Sequence, residues 1–301
     1  MDLARLTAMY GKLEGAEGKF ARDVTGYIGI EAGIYSRWGL DLSWQHIQGT
    51  EERYRRLETG AADVSFVVGR AALKHFLDSK TTRLIGSSMN SCPYHLIVSP
   101  AVTRLSDLKG KTIACREEPA RIAPLDQSFF QKAGLRLGED VPLELPGSDQ
   151  EVFDLLVVGR IEAALLPRQY GFLAEEKGFK RMNDWPDVVD DPLPVAIETT
   201  EKILGDRSGE LAAFISAHAE SIRHLKTSRD QTVRMLGDKF GHSPSLAGKT
   251  FDEYLLLLDD RLTIDLKHLE NLLTQVAPNF PGGARKLAAE WIAPDVLDRS
   301  S

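Results

Sequence analysis

Residues 26–63, GYIGIEAGIYSRWGLDLSWQHIQGTEERYRRLETGAAD, decide the fold class of this chain. The pattern predicts a helix that ends at Gly39, a strand over residues 40–47, a turn at Gly49, a second helix, and a strand that follows Asp63. Helices and strands that alternate in this way build an α/β unit. This order of elements fits many folds, so the neighbouring segments must narrow the choice.

The alternation continues on both sides of this stretch. Further strands are predicted over residues 4–10, 64–68, 83–87, 94–99, 111–115, 141–145 and 161–166, and the pattern after Thr200 is helical, with helices over 209–226, 229–240, 251–258, 266–276 and 283–291. Strands separated by helical segments are typical of parallel sheets with helices on both faces. We therefore expect an α/β protein with doubly wound, mainly parallel sheets.

Three segments resemble a known superfamily. EAGIYSRWGLDL at 31–42, YRRLETGAADVSF at 54–66 and LSDLKGKTIAC at 105–115 are similar to the type II periplasmic-binding-protein superfamily. The most similar branch binds nitrate, taurine, aliphatic sulfonates and thiamine-pyrimidine precursors. The resemblance implies two lobes, each with a doubly wound sheet, and a C-terminal helical segment packed on lobe 1. It implies that residues 1–95 and 195–301 form lobe 1, that 96–194 form an inserted lobe 2, and that hinge crossings lie near 94–99 and 192–198.

The composition excludes several classes of protein. The 301 residues are 43% hydrophobic and 27% charged, and 37 Lys and Arg against 44 Asp and Glu give a formal charge of −7. An acidic chain without a basic run does not suggest a nucleic-acid partner. No apolar stretch approaches the roughly 20 residues that span a bilayer, so no transmembrane segment is expected. No signal peptide precedes the first strand, which leaves a periplasmic protein trimmed to its mature form or a cytoplasmic protein that starts at Met1.

Four arginines follow predicted strand ends: Arg70, Arg116, Arg121 and Arg168. Ligands of open parallel sheets bind beyond the carboxyl ends of the strands. Guanidinium groups recognise carboxylate, sulfonate or phosphate groups bidentately, so these positions predict an anionic ligand. The alternative for each arginine is a place on a solvated rim or an ion pair with a neighbouring acid such as Glu117.

Other candidate ligand contacts lie at the same strand ends: Tyr10, Thr50, Asn90 and Cys92. Thr50 is predicted to cap the helix that follows it, either as a cap alone or as a cap that also contacts ligand. Tyr10 is expected to cover a ligand or to pack between loops. Cys92 has His95 only three residues away, but an extended strand places their side chains on opposite faces, so an inert buried thiol is the preferred interpretation.

No motif predicts a metal, a cofactor or a catalytic residue. The sequence contains no HExxH, no zinc-type Cys/His spacing and no glycine-rich phosphate loop. Three glycines, Gly26, Gly29 and Gly33, interrupt a helical pattern, which predicts close packing against a neighbouring backbone or lobe.

The leading functional hypothesis is a solute-binding protein. It would close on a small organic ligand, anionic or heteroaromatic, and present it to the permease of an ABC-type importer, as the resemblance implies. The alternative is a cytoplasmic enzyme on the same fold that acts on a small carboxylic acid, for example as a decarboxylase. The sequence leaves open the identity of the ligand and the choice between monomer and dimer.

Overall fold

The computed structural model describes residues 3–11, 21–92, 94–116, 127–182, 189–277 and 279–293. The strands in these residues are β1 (Ala4–Tyr10), β2 (Leu40–His46), β3 (Val64–Val67), β4 (Thr82–Cys92), β5 (Tyr94–Val98), β6 (Ile113–Ala114), β7 (Leu143–Glu144), β8 (Ala163–Pro167), β9 (Lys180–Arg181) and β10 (Val189–Thr200). The helices are α1 (Val24–Glu31), α2 (Ile34–Arg37), α3 (Thr50–Glu58), α4 (Gly69–Ser79), α5 (Gln127–Lys132), α6 (Asp149–Val157), α7 (Arg168–Glu176), α8 (Glu201–Thr227), α9 (Arg229–Phe240), α10 (Pro244–Glu253), α11 (Leu266–Val276) and α12 (Gly283–Trp291).

The described strands form two mixed sheets. The first sheet has the order β2-β1-β3-β10-β4, and the second has the order β7-β6-β8-β5-β9. In the first sheet β1 pairs in parallel with β2 and β3, whereas β10 runs antiparallel to β3 and β4. In the second sheet β6 is parallel to β7 and β8, and β5 is antiparallel to β8 and β9. Each sheet therefore contains antiparallel pairs that the alternation of strands and helices did not predict.

Strand β10 accounts for the difference in the first sheet. The resemblance implied only a hinge crossing near residues 192–198, and Pro192 and Pro194 are poor residues for the interior of a sheet. The structure accommodates them with a shift of the β4–β10 register between Asp190 and Val195. Beyond this irregularity, Ile197 pairs with β3 and β4 at once, so β10 occupies an interior position in the sheet.

Helices cover both faces of each sheet, as predicted. On one face of the first sheet α1, α8, α9 and α10 bury apolar side chains such as Ile28 and Phe214. On the other face α3, α4, α11 and α12 bury a second set, including Phe76 and Trp291. Two smaller clusters cover the faces of the second sheet. The C-terminal helices thus pack on the first sheet, and none of the helices in the described ranges has the length and apolarity required to cross a bilayer.

Two of the three glycines pack closely, as predicted, but against side chains of the first sheet and its helices rather than against a backbone or the other lobe. A Cβ on Gly26 would lie 2.2 Å from the ring of Trp44, and a Cβ on Gly29 would lie 2.1 Å from Ser221 Oγ. Glycine is favoured at position 33 for a different reason, because the backbone there takes a left-handed conformation with φ of 65° between α1 and α2. The close approach at Gly26 places Trp44 directly against the first turn of α1.

The two sheets meet where α7 contacts α10. Arg181 Nη1 lies 2.7 Å from Glu253 Oε2, and Lys249 Nζ lies 3.3 Å from Glu175 Oε2. Glu175 also accepts a hydrogen bond from Arg181 Nε at 2.7 Å. These four side chains connect α10, which packs on the first sheet, with α7 and β9 of the second sheet and its helices, and the candidate site adjoins this contact.

Candidate functional site

Five polar side chains interact in a chain of contacts near the contact of the two sheets, and we call them the arginine cluster: Arg22, Asp23, Arg53, Arg168 and Tyr254. Each of them is less than a tenth exposed. Arg168 follows β8 of the second sheet, and the other four residues belong to the first sheet and its helices. The cluster is therefore built by both halves of the fold.

The position of Arg22 and Asp23 is fixed through their backbone. Both lie in a 3₁₀ turn that runs directly into α1. Trp44 Nε1 donates to the carbonyl oxygen of Asp23 at 3.0 Å, and Thr25 Oγ1 donates to that of Arg22 at 2.8 Å. Gly26 leaves the space that Trp44 needs to reach this turn. The side chains of the pair are thus held at the amino-terminal end of α1.

Arg53 lies on the buried face of α3, at the carboxyl ends of β1 and β2. Its Nη1 donates to the carbonyl oxygen of Ile47 at 3.1 Å, and its Nη2 donates to Thr50 Oγ1 at 3.3 Å. A Cβ on Gly11 would lie 2.5 Å from Nη1, so only glycine leaves this space open. Within the described ranges, the buried Nε of Arg53 has no hydrogen-bond partner.

Arg168 and Tyr254 connect the cluster to the contact between α7 and α10. Arg168 begins α7, and its Nη1 donates to the carbonyl oxygen of Glu253 at 2.6 Å. This carbonyl belongs to the last turn of α10, where the helix dipole favours a positive charge. Tyr254 follows immediately, and its hydroxyl lies 3.5 Å from Arg22 Nη1.

The cluster contains more positive than negative charge. It has three guanidinium groups and a single carboxyl group, that of Asp23. Burial raises the pKa of the Asp23 carboxyl to about 7, although Arg22 and Arg53 act in the opposite direction. Burial also lowers the pKa of Arg53. Buried charge is costly unless it is paired, and Arg53 donates only to neutral oxygens among the described residues, so its surroundings favour an anionic partner.

A narrow gap opens beside Asp23, between the first sheet and the helices that cover it. The gap leaves no room for a water-sized molecule, and its lining consists of Arg22, Asp23, Thr25, Trp44, Phe66, Ser88, His218 and Leu258. Two buried atoms on this lining, Asp23 Oδ2 and Ser88 Oγ, have no hydrogen-bond partner in the described part of the chain. Buried polar atoms without a hydrogen-bond partner are rare in native proteins, so these two atoms distinguish the gap from the surrounding core.

Tyr10 and Thr50 lie next to the cluster, Tyr10 in a packed position and Thr50 in a role that differs from the expected helix cap. Tyr10 is fully buried, its hydroxyl lies 2.6 Å from that of Tyr27, and its ring stacks on Trp44 at 5.1 Å between centroids. The prediction of Thr50 as the helix cap was wrong, because Gly49 occupies the cap position with φ of 83° and α3 begins at Thr50. A glycine is suited to this positive φ. Thr50 instead accepts the hydrogen bond from Arg53.

Three further candidates lie apart from the cluster. Arg70 is half-buried in the first turn of α4 and has no hydrogen bond or ion pair with any other described residue. Asn90 Nδ2 donates to Asp259 Oδ2 at 3.0 Å, which connects β4 to the turn that contains Asp259. Cys92 ends β4 and pairs with Val189 in the ladder, and its side chain lies outside the described part.

The predicted arginines do not converge on one point. Arg116 pairs with the buried Asp149, with Nη1 and Oδ2 3.5 Å apart. Arg168 joins the cluster, and Arg70 stands in separate surroundings. Arg121 lies outside the described residues. The two arginines that do converge with Arg168, Arg22 and Arg53, are ones that the sequence pattern did not single out.

A signal for Arg53 was present in the sequence. Arg53, Tyr54 and Leu57 share the buried face of α3, whereas Arg55 points outward and pairs with Glu52. An arginine four residues before a leucine on an amphipathic helix lies on the apolar face, which is unusual for a guanidinium. Arg22 had no comparable signal, because its neighbours come from distant parts of the chain.

His95 is a packed residue in this structure. It is 2% exposed, and a Cβ on Gly171 would lie 2.6 Å from its Nδ1. Burial, together with Arg168 and Arg181, lowers the pKa of His95 to about 2, so the ring is neutral at ordinary pH. Among the described residues, no group of three His, Cys, Asp or Glu side chains is arranged to hold a metal ion.

Comparison with solved structures decides the fold. The chain superimposes on the periplasmic nitrate-binding protein of Synechocystis PCC 6803 with a TM-score of 0.74 and 10% identity, over 99% of this chain and 88% of that one. It matches a ligand-binding component of an ABC-type import system from Staphylococcus aureus, solved with zinc bound, with a TM-score of 0.73 and 13% identity, over 99% of both chains. It matches a periplasmic sulfonate-binding protein of Methylobacillus flagellatus KT with a TM-score of 0.71 and 14% identity, over 99% of this chain and 94% of that one.

The chain has the periplasmic-binding-protein fold. The fold expected from the three sequence segments is thus confirmed. Neither a family profile nor a curated protein matches the sequence. The likeness therefore concerns the fold, in which the arginine cluster lies where the two sheets of the binding-protein fold meet.

Proposed function

We propose that this chain is a solute-binding protein that holds a small organic anion between its two halves. The observation that carries the proposal is the arginine cluster, in which both sheets contribute buried guanidinium groups and the Arg53 guanidinium donates only to neutral oxygens among the described residues. An anion that reaches this cluster would be bound by charge-assisted hydrogen bonds in a desolvated place. The similar folds of proteins for nitrate and sulfonate support the same role.

The proposed mechanism is closure of two lobes around a hinge. The lobes are the two sheets with their helices, with the limits expected from the sequence, 1–95 with 195–301 and 96–194. A ligand that contacts both lobes stabilises the closed state over the open one. Arg168 contributes the second lobe's charge to the cluster, and its bond to Glu253 forms in the closed arrangement. Delivery to an ABC-type permease from the periplasm completes the proposal.

The test begins with the ligand. Native mass spectrometry of the purified protein should detect a co-purifying small acid, and a thermal-shift panel of carboxylates and sulfonates should raise the melting temperature, because a ligand selective for the folded state stabilises it. Small-angle scattering should then show a smaller radius of gyration with the acid than without it.

Two arginines of α3 give a matched pair of variants. Arg53→Met should weaken binding of the identified acid by at least about 30-fold, the equivalent of losing about 2 kcal/mol from a buried charge-assisted contact. Arg55→Met is the control, since Arg55 lies on the outer face and pairs with Glu52. Equal binding by the parent and Arg53→Met would show that the cluster is not the anion site.

Arg70 is the second position to test. We propose that it guides the anion into the site, because it is half-buried without an ion-pair partner in the described residues. Arg70→Ala should slow association more than it speeds dissociation, and the loss should shrink at high salt. A purely structural arginine would leave the association rate unchanged.

A further inference from the structure

Four charged side chains cross the contact between α7 and α10, and we call them the ion-pair latch: Lys249, Glu175, Arg181 and Glu253. Lys249 and Glu253 belong to α10 of the first lobe, whereas Glu175 and Arg181 belong to α7 and β9 of the second lobe. Lys249 Nζ lies 3.3 Å from Glu175 Oε2, and Arg181 Nη1 lies 2.7 Å from Glu253 Oε2. Two ion pairs of the latch therefore run from one lobe to the other.

The guanidinium group of Arg181 is oriented within its own lobe. Its Nε and Nη2 donate to the two carboxyl oxygens of Glu175, at 2.7 Å and 3.4 Å. This paired geometry fixes the plane of the guanidinium and leaves Nη1 for Glu253 of the other lobe. Because Arg181 is already held in place, less side-chain entropy is lost when the lobes meet than for two free surface side chains.

The latch is partly shielded from solvent and remains charged. Its four side chains are 19% to 37% exposed. Burial alone would lower the pKa of Arg181, but its hydrogen bonds to Glu175 and Glu253 raise the pKa above its ordinary value. The pKa of Glu175 is lowered, although burial acts in the opposite direction, because Arg181 and Lys249 both donate to it. Linked charges of this kind contribute more than isolated surface pairs.

The contact between the lobes does not depend on a shared apolar core. Each of the four apolar clusters in the described residues belongs to one sheet and its own helices. The backbone of α10 adds a polar contact, since the carbonyl oxygen of Glu253 accepts from Arg168 Nη1 at 2.6 Å. The lobes can therefore separate between α7 and α10 without breaking an apolar cluster, as expected for a contact that opens and closes.

We infer that the ion-pair latch holds a fraction of the ligand-free molecules in the closed arrangement. Each pair across the lobes is expected to raise the ratio of closed to open molecules by about fivefold at most, because partly exposed ion pairs are weak. The latch therefore favours closure without locking it, and a ligand that binds the closed state shifts the remaining molecules. The inference rests on the two lobes of the proposed function and is independent of the chemistry of the ligand.

Two neighbouring acids of α10 give a matched pair of variants. Glu253→Gln removes the charge that faces Arg181 across the lobes. Asp252→Asn removes the same charge from the next residue, whose partner Arg229 lies on α9 of the same lobe, with Nη2 and Oδ2 2.8 Å apart. In small-angle scattering of ligand-free protein at about 0.02 M salt, where screening is weak, Glu253→Gln should have a larger radius of gyration than the parent. Asp252→Asn should keep the radius of the parent.

Two further variants extend the series. Glu253→Arg should increase the radius more than Glu253→Gln, because it places a like charge against Arg181. Lys249→Met removes the other pair across the lobes and should also increase the radius. Salt at about 1 M screens charges beyond about 3 Å, so it should expand the parent and change Glu253→Arg little. Circular dichroism distinguishes opening, which keeps the helices, from unfolding.

Two results would overturn the latch. One is the radius of the parent in Glu253→Gln, Glu253→Arg and Lys249→Met alike. The other is an equal expansion of Asp252→Asn and Glu253→Gln, which would assign the effect to charge on α10 in general. If Glu253→Arg loses its helices, the two milder variants Glu253→Gln and Lys249→Met decide. Because the scattering is measured without ligand, either negative result leaves the proposed anion binding standing, and a failure of every acid to bind leaves the latch standing.

Discussion

Two buried carboxyl groups of the first sheet and its helices, Glu198 and Asp23, have pKa values raised to about the same value but lie in different surroundings. Burial raises the pKa of each to about 7. Glu198 lies on β10, where its Oε2 accepts from the hydroxyl of Tyr54 at 2.9 Å and its Oε1 accepts from Trp291 Nε1 at 3.2 Å. Asp23 stands beside two arginines and keeps one oxygen without a hydrogen-bond partner in the described residues.

The difference separates a structural carboxyl group from one that suits a ligand. Glu198 ties α3 and α12 to the sheet through neutral donors, so both oxygens are used by the fold itself. The positive charges of Arg22 and Arg53 act on Asp23, but its Oδ2 accepts no hydrogen bond from the described residues. The hydrogen bonding of this carboxyl group is therefore incomplete without a further donor. Both carboxyl groups have a raised pKa, so the pKa alone does not separate them. They differ in whether both of their oxygen atoms accept hydrogen bonds.

The largest expected effect is on the structural member of the pair. Glu198→Ala should lower the free energy of unfolding by about 4 kcal/mol, because it leaves a cavity and two unsatisfied donors. Asp23→Ala, measured at pH 5.5 where this carboxyl is protonated, should cost only about 1 kcal/mol. Urea denaturation of both variants at that pH makes the comparison, and equal losses would remove the distinction.

The pH dependence of stability provides the second test. The ordinary pKa of a glutamate carboxyl is 4.5, and burial in the folded protein raises the pKa of Glu198 to about 7, so folding takes up a proton between these values. Its contribution to stability is therefore complete below about pH 4.5 and is lost as the pH rises through about 7, by about 3 kcal/mol in total. Glu198→Gln should flatten this part of the profile. An unchanged slope in the variant would show that Glu198 does not titrate in this range.

A smaller effect is expected when one donor to Glu198 is removed. Tyr54→Phe should cost about 1 kcal/mol, the usual net value of one hydrogen bond. Because the Tyr54 hydroxyl lowers the pKa of Glu198, its loss should move the alkaline end of the stability profile upward. Denaturation between pH 5 and pH 9 measures both consequences, and a downward movement would contradict the assigned contact.

The smallest effect on stability is expected at the cluster itself. Arg53→Met should change the free energy of unfolding by no more than about 0.5 kcal/mol, because replacing a buried charge by an apolar group of similar length relieves its desolvation. The same variant is the one expected to lose ligand affinity. A large loss of stability would instead place Arg53 with Glu198 among the structural residues.

The sequence pattern predicted elements whose evidence is local. Helices α9, α11 and α12 have the bounds expected from their apolar periodicity, and the strands β1 and β2 agree to within a residue. Strand β10 was missed, since its two prolines argue against a strand and only the long-range ladder with β3 and β4 overrides them.

The site was harder to predict for the same physical reason. The search for residues that follow strand ends did select Arg168, which is part of the arginine cluster. Arg22 and Tyr254 meet across 232 positions of sequence, and no local pattern reports such a contact. Arg53 is close in sequence to Gly49 but comes from within a helix, so attention to strand ends alone passed over it.

The position of β10 also bears on how the chain reaches its native state during synthesis. This strand separates β3 from β4 in the finished sheet, yet it leaves the ribosome only after every other strand of the described residues. Until residue 200 emerges, β3 and β4 each present an unpaired edge, and such edges invite pairing with other chains. The first sheet therefore cannot be completed until the strands of the second sheet have been synthesised. Folding is expected to be slow and to benefit from chaperones.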